Sequence, residues 1–190
     1  VMAHAYSWFN PSLASLGQGE RAIANWDEDA LTMAVEAARN ALTPQQYRQI
    51  DGLYLASTSL PFQDRQNAGI AAEAMHLGND LHTMDITGSQ RAGTSALLTA
   101  LQIAVGNRRN TLVIGGEKRQ TKASSPLQLT SGDGGAALLV GPGKGVAALV
   151  GYATLSVDFV DHYRGQNQPF DYVWEERWVR DEGFLKIVPN

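Results

Sequence analysis

The sequence predicts an α/β fold with a mostly parallel sheet and helices on both faces. Segments with helical and strand-like periodicity alternate along the 190 residues, and this alternation favours parallel strands joined by crossover helices. Residues 111–115 form a continuous apolar run, which is typical of a strand covered on both faces. Residues 91–105 are apolar on nearly all sides of a helix, which predicts burial.

The clearest predicted helix covers residues 27–42, where apolar residues recur at helical spacing. Asn25 or Asp27 is expected to cap its start. The elements that follow, in chain order, are a strand over 50–56, a helix over 66–77, a short strand over 81–86, the helix over 91–105, the strand over 111–115 and a polar connector over 124–130.

Two more strands are predicted over residues 134–140 and 146–155, and they add an antiparallel edge to the sheet. The segment GPGKG at 141–145 lies between them. A hairpin turn is favoured there over a phosphate-binding loop, because apolar strands flank it and no helix follows. From residue 158 onward, charged and aromatic residues are interleaved. We expect a core unit over 1–157 and a segment over 158–190 that lies on a surface or on another subunit.

Composition excludes several classes of function. The chain has no cysteine, so disulfides, thiolate catalysis and thiolate metal sites are absent from it. The net charge of −4 gives no broad basic field for nucleic acid. No spacing of His, Asp and Glu suggests a metal site, no apolar run suggests a membrane span, and the start lacks the pattern of a signal peptide. A cytoplasmic enzyme without a tightly bound cofactor is expected.

The most informative segment is TGSQRAGTSA at residues 87–96, which follows a predicted strand and opens a predicted helix. Such a turn places a side chain where unpaired backbone N–H groups and the positive end of a helix converge. That environment holds a thiolate or an oxyanion. We expect the N–H groups of Arg91 and Ala92 to point into a cavity beside Gln90.

Four blocks of sequence together resemble one family. GERAIANWDED at 19–29 resembles the opening of ketoacyl synthase III and hydroxymethylglutaryl-CoA synthase, and QRAGT at 90–94 resembles the nucleophile turn of the archaeal-type hydroxymethylglutaryl-CoA synthases. SGDGGAA at 131–137 is similar to the glycine-rich strand entry of these enzymes, and DFVDHYR at 158–164 resembles the region that follows it. The family is the thiolase superfamily.

This resemblance implies a fold of two similar βαβαβαββ halves. The chain would be most of the first half, with its first strand missing or lying before Val1. It also implies condensing or acyl-transfer chemistry on acyl-CoA, with a His and an Asn from the second half at the oxyanion site. A homodimer is expected, with the strand at 111–115 paired across its interface. Further implied partners are a thiolase subunit and a small zinc-ribbon/OB-fold protein.

Two positions depart from the family. The nucleophilic Cys maps to Gln90, and the acid/base Glu of hydroxymethylglutaryl-CoA synthases maps to Thr58. Gln90 has two interpretations: its amide donates to a thioester carbonyl or enolate oxygen, or it merely caps the helix in a degenerate site. A non-catalytic partner subunit is therefore the alternative to an enzyme.

Residues beside Gln90 also have alternative roles. Ser89 could replace the nucleophile, although a capping role is favoured because no base is visible beside it. Arg91 could contact a CoA phosphate, or it could form a structural ion pair with Asp85 or Asp133. For Asp133, which precedes two glycines, a turn-stabilising role is favoured over catalysis.

Two further pairs carry weaker hypotheses. Arg21 and Trp26 could together stack on or pair with an adenine nucleotide. Asp161 and His162 are adjacent in sequence, and a surface role is favoured because neighbours along a strand point to opposite faces.

Overall fold

A four-stranded sheet organises the computed structural model, which describes residues 2–188. Its strands are β1 (Gly52–Ala56), β2 (His82–Ile86), β3 (Thr111–Glu117) and β4 (Gly134–Val140), in the order β2-β1-β3-β4. β1 is parallel to both β2 and β3, and β4 is antiparallel to β3. The predicted α/β class, with a mostly parallel sheet and an antiparallel edge, is confirmed.

Helices cover both faces of this sheet. The α-helices up to β4 are α1 (Met2–Tyr6), α2 (Ala30–Ala41), α3 (Pro44–Tyr47), α4 (Asn67–Ala74), α5 (Ala92–Asn107) and α6 (Pro126–Thr130), and a 3₁₀-helix covers Pro11–Leu16. Leu53 and Leu55 of β1 pack with α2 and α4, whereas Tyr54 and Ala56 pack with α5. The period-two alternation of a strand thus supplies two separate cores.

The start of α2 lies three residues beyond the predicted one. Asp29 is the N-cap, and its side chain accepts a hydrogen bond from the Thr32 N–H while the Thr32 hydroxyl accepts one from the Asp29 N–H. This reciprocal capping box satisfies two donors at once, which neither Asn25 nor Asp27 does for this helix.

Two glycines allow α2 to lie directly on the sheet. Gly116 of β3 is paired with Gly135 of β4. A Cβ added at Gly116 would overlap the carbonyl of Ala30, and one added at Gly135 would overlap the carbonyl of Met33. The helix therefore packs backbone against backbone beside the ends of these strands.

The helix predicted over residues 91–105 corresponds to α5, and the prediction that it is buried is wrong for most of its surface. Only a stripe at every fourth residue of α5, comprising Ala92, Ala96, Ala100 and Ala104, is buried against the sheet. Leu97 and Leu101 are half-buried, and Val105 is 84% exposed. A helix on the outer face of one sheet buries a single stripe unless a further layer covers it.

The strand predicted over 146–155 is also wrong. These residues form no strand, and Val146 and Val150 are fully exposed. An apolar pattern makes a strand only when a neighbour offers backbone groups to pair with, and this segment does not pair with β4. GPGKG at 141–145 is therefore not a hairpin turn between two strands.

The position of β3 excludes the predicted role of this strand in a dimer. β1 lies along one edge of β3 and β4 along the other, so both rows of its backbone groups are paired within the chain. Only β2 and β4 are edge strands of this sheet. A strand with two partners cannot pair across an interface.

The chain divides into two compact units. One comprises Gly19–Arg119 with Ser131–Leu149 and contains the four-stranded sheet. The other unites the segment up to Gln18, Gln120–Thr130 and the residues from Val150 onward. The boundary predicted after residue 157 stays a prediction. No helix within residues 2–188 is long and apolar enough to cross a membrane.

Short elements and aromatic contacts build the carboxyl-terminal part of the second unit. They are β5 (His162–Tyr163), β6 (Tyr172–Val173), α7 (Glu176–Trp178), a π-helical turn over Val179–Phe184 and α8 (Leu185–Ile187). Phe159 stacks on Trp178 with ring centroids 4.6 Å apart. Asp161 pairs with His162, since its Oδ1 lies 2.7 Å from Nδ1 and also accepts the His162 N–H. Asp161 precedes the strand, so the alternation of strand side chains does not separate the two.

Candidate functional site

An open cleft of about 510 Å³ lies at the carboxyl ends of β1 and β3, where open α/β sheets commonly bind ligands. The amino-terminal end of α5 and the glycine-rich entry to β4 complete it. Its lining residues are Ala56, Ser57, Thr58, Gln90, Ala92, Gly93, Gly115, Gly116, Glu117, Gly132, Asp133, Gly134, Gly135 and Ala136. The structure thus brings Thr58 and Gln90, which lie 32 positions apart in sequence, into one site.

The polar groups of the cleft include Glu117, the last residue of β3. Glu117 Oε1 accepts a hydrogen bond of 2.7 Å from the Thr58 hydroxyl, and Oε2 accepts one of 2.9 Å from the Thr58 N–H. The Ser57 hydroxyl also donates to Oε2, at 3.4 Å. Such charge-assisted bonds hold the carboxylate in one orientation at the mouth of the sheet.

Basic residues that follow Glu117 hold the surrounding loops. Arg119 Nη1 donates to the Thr58 hydroxyl oxygen at 3.4 Å. Lys118 donates through its Nζ to the carbonyls of Asn25 and Glu28, and through its N–H to the Ser59 hydroxyl at 3.0 Å. The loop before α2 and the end of β1 are therefore both tied to the end of β3.

The turn around Gln90 differs from its expected geometry. The Arg91 N–H donates to the Ser89 hydroxyl at 3.2 Å, and the Ala92 N–H donates to the Ser89 carbonyl at 3.0 Å. Because Ser89 satisfies these donors within the turn, the prediction that they point freely into the cavity is wrong. Gln90 itself is exposed and lines the cleft.

The glycine-rich loop is held from the segment before α2. Asp133 Oδ2 accepts the Ala24 N–H at 2.9 Å, and the Asp133 N–H donates to the Ala22 carbonyl at 3.0 Å. The Arg21 guanidinium donates to the Ser131 carbonyl. Both charged side chains therefore position the loop that forms one wall of the cleft.

Arg91 is exposed, and within residues 2–188 it pairs with neither expected acid. Asp85 instead accepts the N–H groups of Asn67 and Ala68, both at 2.7 Å, at the start of α4. Trp26 is 93% exposed. Neither Arg91 nor Trp26 lines the cleft, and the nucleotide-binding roles of Arg21, Trp26 and Arg91 stay predictions.

Tyr54 and His82 form a pair of ionisable groups away from this cleft. The Tyr54 hydroxyl lies 3.2 Å from His82 Nδ1 near the start of β2, and burial raises the pKa of Tyr54. Among residues 2–188, no cluster of three or more His, Asp or Glu side chains could hold a metal ion. The hydroxyl, amide and carboxylate groups that line the cleft can form hydrogen bonds and take part in proton transfer.

Sequence reasoning missed Glu117. The predicted strand over 111–115 stops short of this residue, whereas β3 continues to it. The available signal was an acidic residue two positions beyond a buried apolar run. The parallel register of β1 and β3, which pairs Ala56 with Gly115, then places Thr58 and Glu117 at the same level.

Comparisons with known proteins connect this chain to a family, although no family model matches it. The hydroxymethylglutaryl-CoA synthase of Methanopyrus kandleri is 34% identical over 154 residues, covering 80% of this chain and 44% of the relative. The hydroxymethylglutaryl-CoA synthase of Aeropyrum pernix is 30% identical over 173 residues, covering 89% and 48% respectively. The chain thus spans about half the length of these relatives.

Solved structures share the fold. The structure of MvaS in complex with 3-hydroxy-3-methylglutaryl coenzyme A has a TM-score of 0.75 at 20% identity and covers 92% of this chain and 42% of that one. The structure of an HMG-CoA synthase complexed with CoA has a TM-score of 0.71 at 23% identity and covers 80% and 39%. The chain is a hydroxymethylglutaryl-CoA synthase-like member of the thiolase superfamily.

Proposed function

We propose that this chain forms the acyl-CoA cleft of a condensing or acyl-transfer enzyme that works without a covalent acyl-enzyme. One observation carries the proposal: Thr58 and Gln90, the two positions that the resemblance marks as catalytic, line the same cleft at the ends of the parallel strands. The names of the relatives and the CoA-bound states of the neighbours support acyl-CoA as the ligand.

Gln90 sets the chemistry of this cleft. An amide has no nucleophilic electron pair at neutral pH, but its NH₂ group donates hydrogen bonds. At the mouth of α5 it would donate to the carbonyl oxygen of a thioester, or to the enolate oxygen formed when an α-proton leaves. One such donor contributes about 10²–10³-fold to a rate in known oxyanion sites.

A non-catalytic partner subunit is the second candidate. The absence of cysteine from the 190 residues and the presence of Thr58 where a Glu is expected favour it. In this role the chain would lend its cleft and fold to an active thiolase-type subunit, alongside a zinc-ribbon/OB-fold protein. The two candidates differ in whether the intact protein itself activates a bound acyl thioester.

The remaining expectations from the sequence complete the proposal. We infer a homodimer, with acyl-CoA as substrate and no tightly bound cofactor. A cytoplasmic location and the absence of nucleic-acid and membrane partners are also part of the proposal. The proposal also includes the acid/base role of Thr58 and the nucleotide-binding roles of Arg21, Trp26 and Arg91.

The test measures binding and activation separately in the intact protein. Titration calorimetry with acetyl-CoA and acetoacetyl-CoA should show binding, and intact mass after incubation should show no acyl adduct. Exchange of the α-protons of acetyl-CoA with D₂O should be catalysed, and Gln90→Ala should slow it by about 10²-fold.

Gln45→Ala changes an exposed residue of α3 and is the matched control. This variant should catalyse the exchange at the rate of the unmodified protein. Binding without exchange would favour the partner subunit. A stable acetyl adduct, on Ser89 for example, would refute the non-covalent route.

A further inference from the structure

We propose that the Thr58 hydroxyl and the Glu117 carboxylate act together as the acid/base unit of the cleft, replacing the single carboxylate that the resemblance places at position 58. The inference rests on the proposed function and specifies how the α-proton of a bound acyl thioester is removed. It assigns a proton-accepting role to a residue that the family comparison did not mark.

The geometry of two neighbouring strands places this pair. Ala56 of β1 and Gly115 of β3 are register partners in a parallel pair. Two residues further along each segment lie Thr58 and Glu117. On its other side, Glu117 is paired with Gly134 of β4, which carries no side chain. The carboxylate therefore reaches Thr58 and faces the cleft without a competing side chain from β4.

The hydrogen bonds give the pair a direction for proton transfer. The Thr58 hydroxyl donates its proton to Glu117 Oε1 at 2.7 Å, and a hydroxyl that passes its own proton to a carboxylate can take up another on its oxygen. The Thr58 N–H holds Oε2 at 2.9 Å and fixes the carboxylate. The Arg119 guanidinium, 3.4 Å from the same hydroxyl oxygen, stabilises negative charge on that oxygen while its proton moves.

The step is balanced without any further reactant. The α-carbon–hydrogen bond of the acyl thioester breaks and its proton forms a bond with Thr58 Oγ1, while the original hydroxyl proton moves to Glu117 Oε1. The electron pair of the broken bond stays on the substrate as an enolate, whose oxygen accepts from the Gln90 amide. Glu117 ends as a neutral acid, the protons held by the pair exchange with solvent, and the reverse route then returns a solvent-derived proton to the α-carbon.

Four variants of the intact protein test this assignment by α-proton exchange of acetyl-CoA in D₂O. Glu117→Gln keeps the size and one acceptor of the side chain but cannot take a proton, so kcat should fall by about 10²–10³-fold while KM and calorimetric affinity stay within about twofold. Thr58→Val, which is similar in shape, should show the same fall in kcat. Thr58→Ser retains the hydroxyl and should stay within about fivefold of the unmodified protein. Glu36→Gln, on the exposed face of α2, is the matched control and should change nothing.

The exchange rates and affinities of these variants distinguish a proton-transfer role of Thr58 and Glu117 from a structural one. Exchange by Glu117→Gln or Thr58→Val at the unmodified rate would overturn the proposal, and so would losses in which weaker acyl-CoA binding accounts for the whole effect. If Glu117→Gln does not fold, the contrast between Thr58→Ser and Thr58→Val decides by itself. Absence of exchange in the unmodified protein would refute the proposed function and the dyad with it, whereas exchange that is insensitive to both positions refutes the dyad alone.

Discussion

At the scale of single residues, the cleft has hydrogen-bonding groups where a nucleophile and its base are expected. Gln90 is exposed at the turn into α5, and the first N–H groups of that turn are bonded to Ser89. Thr58 is bonded to Glu117 through both its hydroxyl and its N–H. In the proposed function, these groups would bind an oxygen and move a proton without an acyl-enzyme thioester.

Replacing Gln90 with Cys tests whether the cleft still fits an acyl group. The thiol would stand at the start of α5, where the helix dipole favours the thiolate. Incubation of Gln90→Cys with acetyl-CoA should give an intact-mass increase of one acetyl group per chain. Gln45→Cys, which places a thiol on an exposed surface, should remain unmodified under the same conditions. An unmodified Gln90→Cys variant that still binds acetyl-CoA would contradict the placement of position 90 beside the thioester.

At the scale of elements, backbone contact between α2 and the sheet supports one side of the cleft. Gly116 and Gly135 are register partners, and both lie against carbonyls of α2. Both residues also line the cleft. Because no side chain separates the helix from the strands there, a small change in volume must displace one of them.

Gly116→Ala should therefore destabilise the protein without altering its polar groups. An added methyl group in a filled contact costs about 1–3 kcal/mol of unfolding free energy. Urea denaturation of the intact protein should show a lower midpoint with an unchanged slope. Gly134→Ala is the control, because a Cβ at Gly134 meets no atom within 4 Å and should leave the midpoint near that of the unmodified protein. Equal midpoints for both variants would refute the close packing of α2 on β3.

At the scale of the whole molecule, apolar surface remains uncovered. Along α5, Leu97 and Leu101 are only half-buried and Val105 is exposed. β2 is an edge strand of the four-stranded sheet, and the Thr83 carbonyl of this strand accepts a hydrogen bond from the Gln66 side chain rather than from another strand. An edge strand beside a partly covered apolar helix is typical of a surface that another chain or domain covers.

We expect the isolated 190-residue chain to be unstable as a monomer. Fully burying a leucine or valine side chain contributes about 1.5–3 kcal/mol, so several uncovered residues amount to a large share of the stability of a domain, which is about 5–15 kcal/mol. Sedimentation velocity at micromolar concentration should show self-association or loss of folded material. A cooperatively folding monomer would contradict this expectation and would indicate a self-contained α/β domain.

Sequence patterns captured the local order of the fold. Residues 134–140 were predicted as a strand with matching bounds, and the strands at β1, β2 and β3 were placed within a few residues, because alternation and apolar runs are local properties. The start of α2 was misplaced because Asn25, Asp27 and Asp29 are all capable caps, and only the observed contact with Thr32 distinguishes them. The strand predicted over 146–155 failed because pairing needs a partner.

Local sequence patterns predict the α/β class and the mostly parallel sheet, and family resemblance points to two positions that meet in the cleft. Contacts between distant residues establish that β3 is central, that Asp85 binds the start of α4, and that Glu117 reaches Thr58. The reason is physical: helical and strand periodicity arise from neighbours in sequence, whereas register and hydrogen-bond partners arise from residues that are distant in sequence. Thr58 and Glu117 are separated by 59 positions, and the parallel pairing of β1 with β3 brings them together.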